Sequence, residues 1–260
     1  MPPRIPTEAD FAPLAATLPH TLHFPSPRES TTALLVLLHG LGDSEAPFAR
    51  FARGVALPGV LAVAVRGTAP LPLLDNDDDD DGGHFHWGDD VRFDAGTGDV
   101  DADPGFGRAA RAVMDGLVRG VFVERCGWEV GDVMLFGFGQ GGSLALGMAS
   151  QLRASPAVID VTDSASASPN GGSGRDEAFK GVVSIGGPLP ASMVPTTTAR
   201  SKSTTRVLAV QLDEDQVEAI EAEFRHVTAV RWRRRDVAMP RDRDEMLPIM
   251  RFFADCLGRV

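Results

Sequence analysis

The residues whose spacing could do chemistry cluster where an apolar run ends. Val133-Met134-Leu135-Phe136-Gly137-Phe138 leads directly into Gly139-Gln140-Gly141-Gly142 and then Ser143-Leu144-Ala145-Leu146. A strand, a glycine-rich turn and a small-residue helix start form the context of a nucleophile elbow, G-x-S-x-G, in which a sharp turn presents a hydroxyl for attack on a carbonyl carbon. Gly137 and Gly141 are the flanking glycines of such a turn, and the residue between them is Gly139 instead of serine. The turn is intact and its nucleophile is missing. The backbone N–H after the nucleophile position, here that of Gln140, would still be available to an oxyanion, because that donor needs no side chain.

Other readings of these glycines are weaker. Gly137, Gly139 and Gly142 satisfy the G-x-G-x-x-G spacing of a dinucleotide site, yet they come late in the chain, and no acidic residue follows a next strand at the required distance. Ser143 stands one helical turn beyond Gly139 and is expected to pack or to bond to backbone. Cys126 and Cys256 read as the end of one helix and part of the last. Asp77, Asp79, Asp81 and Gly82 match the first half of a calcium loop, but its twelfth position is Gly88, where a glutamate is needed. His84 and His86 lack a third defined metal ligand. Arg231, Arg233, Arg234 and Arg235 read as a solvated cluster paired with nearby acids.

The elements that position the turn follow from pattern. Apolar runs at Ala33 to His39, Leu61 to Val65, Val133 to Phe138, Gly181 to Ile185 and Arg206 to Val210 predict buried strands, with Val227 to Trp232 nearer an edge. Phe106, Ala110, Val113, Leu117 and Val121 recur at helical spacing, as do Met246, Met250, Phe253 and Leu257. Strands alternating with helices predict an α/β protein with a mostly parallel sheet covered on both faces. One domain over 31–258 is expected, preceded by an N-terminal extension over 1–30. An acidic insertion spans 75–103, and a Ser/Gly-rich one spans 155–179.

The first of the early strands ends in His39-Gly40-Leu41-Gly42-Asp43. Together with His86-Trp87-Gly88-Asp89 and Gly137-Phe138-Gly139-Gln140-Gly141-Gly142, this segment resembles the phospholipase/carboxylesterase family, which includes the acyl-protein thioesterases. The resemblance runs from about Ala33 to Leu257, through Asp213-Glu214-Asp215-Gln216-Val217 and Glu245-Met246. It implies an α/β-hydrolase fold and a Ser-His-Asp site for esters or thioesters. On it, Leu41 and Gln140 are the oxyanion donors, and His39 and Trp87 belong to the pocket. Asp215 is the triad acid, and Gly139 stands where the family has serine. The family's histidine lies seven residues before the methionine of the Glu-Met pair, which is Met239 here. With two of three triad members replaced, the resemblance implies a pseudoenzyme or a strongly altered hydrolase that keeps an oxyanion-type pocket. The alternative is an active ester or thioester hydrolase using another nucleophile or activated water.

Composition bounds the partners. The net charge of −11 over 260 residues argues against nucleic acid and anionic membranes. No apolar run reaches the roughly 20 residues of a membrane span. The start of the chain lacks the apolar core of a signal peptide, and two cysteines make no disulfide framework, so a cytoplasmic location is expected. No cofactor is called for. The expected partner is a small apolar or acyl-containing ligand, or another protein.

Overall fold

The computed structural model describes residues 2–71, 83–90, 101–153, 177–196 and 201–258. The five consecutive aspartates and most of the Ser/Gly-rich insertion lie outside them. Strand β1 (His20–His23) precedes β2 (Ala33–Leu38) and β3 (Val60–Val65). Two short strands follow, β4 (Ala69–Pro70) and β5 (Phe85–His86), and then β6 (Val133–Phe138). The last three are β7 (Gly181–Ile185), β8 (Ser203–Val210) and β9 (Phe224–Val230). The main sheet has seven strands in the order β1-β3-β2-β6-β7-β8-β9. All neighbours are parallel except β1 against β3.

The unbroken apolar runs of β2 and β3 are explained by burial on both faces. Every residue of both strands is buried, and the side chains alternate between two cores. Leu34, Val36 and Leu38 enter one core, whereas Leu35 and Leu37 enter the other. The first core is closed by α3 (Gly107–Arg111), its π-helical continuation Ala112–Arg125, and α4 (Gln140–Gln151), which follow α1 (Glu8–Phe11) and α2 (Glu45–Val55) in the chain. The second is closed by α2 and α6 (Arg243–Leu257), with α5 (Glu214–Glu223) lying between β8 and β9 in sequence.

The helical stripe expected from Phe106 to Val121 is present but wider. In the π-helical part the buried positions come in adjacent pairs, Val113 with Met114, Leu117 with Val118 and Val121 with Phe122. Helix α4 is buried from Gly141 through Ser150. Its small residues are a packing requirement, because a Cβ on Gly147 would overlap the Met193 sulfur.

Two sequence expectations change. The first thirty residues are built into the domain and do not extend from it: β1 forms one edge of the sheet, and Phe11 and Leu18 are buried in the first core. The indole N–H of Trp128 fastens this segment by donating to the Arg4 carbonyl at 2.7 Å. The last strand ends at Val230, which leaves Trp232 in the loop beyond it. Among the described residues no helix is long and apolar enough to cross a membrane.

Candidate active site

Strand β6 delivers Gly139 to the carboxyl end of the sheet with φ 50° and ψ −121°, a conformation that L side chains adopt only under strain. The Gly139 N–H donates to the Ile185 carbonyl at 2.8 Å, and its own carbonyl accepts from Gly142 and Ser143 N–H at 2.9 and 3.1 Å. Both flanking glycines are obligatory. A Cβ on Gly137 would overlap the Gly141 carbonyl, and one on Gly141 would overlap the Leu38 carbonyl. Gly139 itself is different. The nearest atom to a Cβ there would be the Gly40 Cα at 3.9 Å, so the space for a side chain is open. The turn has room for a side chain that Gly139 does not supply.

The loop after β2 is fixed by His39. Its Nε2 accepts the Gly67 N–H at 2.7 Å, and its Nδ1 lies 2.7 Å from the Gly40 carbonyl. A carbonyl can only accept, so Nδ1 carries the proton and the ring is neutral. Burial pushes the His39 pKa down, which favours the same state. Trp87 joins this loop to the elbow. Its indole N–H donates to the His39 carbonyl at 2.8 Å, and its backbone N–H donates to Gln140 Oε1 at 2.7 Å. His39 and Trp87 are each fully buried, so they brace the site from beneath and do not line an open pocket. Among the described residues the backbone N–H groups of Leu41 and Gln140 have no acceptor. Leu41 lies in the loop after β2 and Gln140 is the first residue of α4, and on the resemblance these are the oxyanion donors.

The positions that the resemblance equates with the family's acid and base contrast with this. Asp215 lies exposed in the first turn of α5, with no hydrogen bond or ion pair among the described residues. Met239 is partly buried against the core under α2 and α6. The loop that carries it folds around Arg234, which pairs with nearby acids as the cluster 231–235 is expected to, but is part-buried. Arg234 donates to Glu245 Oε1 at 2.6 Å and to the carbonyls of Ala238 and Met239 at 3.0 Å each. The guanidinium holds the Glu245 carboxyl below its ordinary range. From this loop Val237 packs onto Gly186, and the adjoining Gly187 sits so close to the elbow that a Cβ there would overlap the Gly139 carbonyl. Nothing in the sequence pattern singles out Val237.

The other histidines are placed clearly. His226 pairs with Arg206 early in β9, away from the strand end that carries the elbow. His86 is 4% exposed, and its Nδ1 has no hydrogen-bond partner among the described residues. His84 lies beside the oxyanion loop, with Nδ1 at 2.7 Å from the Gly42 carbonyl. Ser143 is buried within α4, and both cysteines are buried. Among the described residues no group of three or more potential ligands could hold a metal ion.

A mostly parallel sheet covered by helices on both faces, with a glycine-bounded turn between β6 and α4, is consistent with an α/β-hydrolase fold. Residues 21–162 match the phospholipase/carboxylesterase family over more than half of the chain, and the chain belongs to that family. An uncharacterized hydrolase of Schizosaccharomyces pombe is 34% identical over 117 residues, 44% of each protein. One of Mycosarcoma maydis is 32% identical over 127 residues, 48% of this chain and 44% of the relative. The matched part thus spans less than half the length of these relatives. Acyl-protein thioesterase 2 of Zea mays superposes with a TM-score of 0.58 at 14% identity, covering 92% of this chain and 99% of that one. The Bacillus cereus carboxylesterase gives 0.57 at 15%, covering 96% and 100%. At that identity the likeness concerns the fold.

Proposed function

We propose that this protein binds the carbonyl or carboxyl end of an acyl-containing ligand at the Leu41 and Gln140 N–H groups and forms no acyl-enzyme, as a pseudoenzyme or strongly altered hydrolase of its family. The observation that carries this reading is Gly139, which holds the elbow conformation with no side chain to attack. Met239 at the family's histidine position supports it, since a thioether cannot relay a proton. An apolar ligand is favoured by the surroundings. Leu41 and Val237 are 37% and 47% exposed, and both stand on loops that touch the elbow. A protein partner presenting an acyl group would meet the same surface, and a cytoplasmic setting suits either.

The test is hydrolysis of a short-chain p-nitrophenyl ester by the natural protein and by a Gly139→Ser, Met239→His double variant. An inert natural protein and an active double variant support the reading. Vigorous turnover by the natural protein overturns it.

A second reading, direct attack by water, is favoured by His84. Its Nδ1 donates to the Gly42 carbonyl, so in the neutral ring Nε2 is the nitrogen that would accept a proton from water beside this loop. Turnover by the natural protein that disappears in His84→Gln would select this route.

A further inference from the structure

The loop that carries the Leu41 N–H is gripped from outside by a side chain that no motif points to. Arg66 follows directly on β3, and Glu45 opens α2 directly after the loop. The guanidinium holds the Glu45 carboxylate with two arms, Nε to Oε2 at 2.7 Å and Nη2 to Oε1 at 2.6 Å. The pair is largely withdrawn from water, with 10% of the Glu45 side chain and 30% of the Arg66 side chain exposed. The same guanidinium lies over the Phe85 ring, 4.8 Å from its centroid.

Phe85 is in turn laced to the loop. Its carbonyl accepts the Gly42 N–H at 2.9 Å, and its own N–H donates to the Asp43 carbonyl at 3.1 Å, which makes an antiparallel bridge. Arg66 therefore reaches one short segment twice, through Glu45 at its end and through the ring paired with its middle. Its own backbone is fixed, because the Arg66 N–H donates to the Pro19 carbonyl at 2.9 Å. Within the segment Gly42, Asp43 and Ser44 give their N–H groups to the Phe85 carbonyl, the Gly40 carbonyl and Asp43 Oδ1. Leu41 is the member whose N–H has no acceptor among the described residues.

A charge pair taken out of water adds little net stability, because lost hydration offsets the attraction. What a two-armed pair supplies is direction, and stacking on a ring fixes the plane of the guanidinium as well. A lysine in this place would keep the charge and lose both constraints.

We propose that Arg66 is a positioning residue for this loop: through Glu45 and the Phe85 ring it holds segment 41–44, so that the Leu41 N–H keeps one position for a ligand. The ligand side of this role rests on the carbonyl-binding function proposed above, whereas the restraint on the loop does not.

Amide hydrogen exchange of the full chain, read by NMR, tests the restraint. A titration with sodium butyrate, followed at the Leu41 and Gln140 amide signals, tests the ligand side. Arg66→Met alone would strand the Glu45 carboxylate, so the main variant is Glu45→Gln, Arg66→Met, which removes both charges together. In it the Gly42 N–H, bonded to Phe85, should exchange about tenfold faster, roughly the loss of one charge-assisted bond. The Gly139 N–H, bonded to Ile185 at the elbow, should be unchanged. Butyrate should bind this variant about tenfold more weakly, on the same loss. Arg66→Lys should move Gly42 exchange in the same direction. Unchanged exchange at Gly42, or an equal rise at Gly42 and Gly139, overturns the positioning role. Faster exchange at Gly42 with undiminished butyrate affinity overturns it as well. Butyrate that shifts neither Leu41 nor Gln140 in the natural protein overturns the carbonyl-binding function. That failure is distinct from loss of the restraint, because Gly42 exchange is read without ligand.

Discussion

The two sides of the elbow are built from different materials. On one side, the loop after β2, Trp87 and α4 present backbone N–H groups, and every support is a hydrogen bond or a contact that only glycine permits. On the other, the acid and base positions depend on side chains, and those are an unpartnered Asp215 and a packed Met239 in a loop organised by Arg234. A function made of backbone survives substitution as long as the fold does, whereas one made of side chains can vanish by two exchanges that leave the fold intact. On the function proposed above, the same fold holds a preserved carbonyl-binding half beside a dismantled proton-transfer half.

The sharpest way to break the comparison is to attack the glycine-made half. Gly141→Ala would drive a methyl group into the Leu38 carbonyl, and the backbone on both sides has no freedom to give. The expected loss is at least ~3 kcal/mol of unfolding free energy by denaturant titration, the upper end of what overpacking costs. A loss below ~1 kcal/mol would mean that the turn is loose and that the preserved half is not rigid.

His39→Leu comes next. It leaves the Gly67 N–H buried without an acceptor, at an expected cost of about 1–3 kcal/mol. Its pH dependence has a definite sign. Burial depresses the folded pKa below the ordinary 6.5, so the unfolded chain takes up a proton at His39 first as pH falls through that value. Stability is complete above about pH 6.5 and declines below it until the folded ring also titrates. His86, depressed mainly by burial and also by Arg108, acts in the same direction. The Leu variant should show a shallower decline between neutral and mildly acidic pH, and an unchanged slope would mean that His39 is not the buried neutral ring described above.

How much of this was legible in the sequence depends on what made each feature. Strands β6 and β7 follow their apolar runs residue for residue, because burial on both faces leaves only Ser184 as a polar position, and its hydroxyl is satisfied by the Gly187 carbonyl. β1 was not recognised, since His20-Thr21-Leu22-His23 is half-buried at an edge and carries neither a run nor a clean alternation. The β4–β5 pair is two residues long on each strand, below any periodic signal. At the site, glycines that must be glycine announced the elbow. The pairing of Arg234 with nearby acids is legible, and Asp236 at 3.0 Å is such a partner, but its partial burial and its bonds to Glu245 and the Ala238 and Met239 carbonyls arise only once the chain has folded. Trp87 could be placed through the resemblance, but its role as a buried brace rests on two hydrogen bonds to distant segments.

Gly139→Ser sharpens the comparison with a smaller effect. The new side chain has room, so the cost is confined to backbone strain at φ 50°, about 1–3 kcal/mol by thermal or denaturant unfolding. A larger cost would show that the vacant space has closed. Esterase activity should stay near that of the natural protein, because a serine hydroxyl without a base is a poor nucleophile.

The smallest effect is expected on the dismantled side. Asp215→Asn removes a charge from an exposed position with no partner among the described residues, so unfolding free energy should change by less than ~0.5 kcal/mol. The informative version places this change in the Gly139→Ser, Met239→His background. If an installed imidazole recruits Asp215 as its orienting acid, Asp215→Asn lowers the rate there while leaving the parent chain untouched. If the rate is indifferent to Asp215, the acid position has drifted away from Met239. The loop around Arg234 would then be a rebuilt structure, and restoring two side chains would not restore the proton relay.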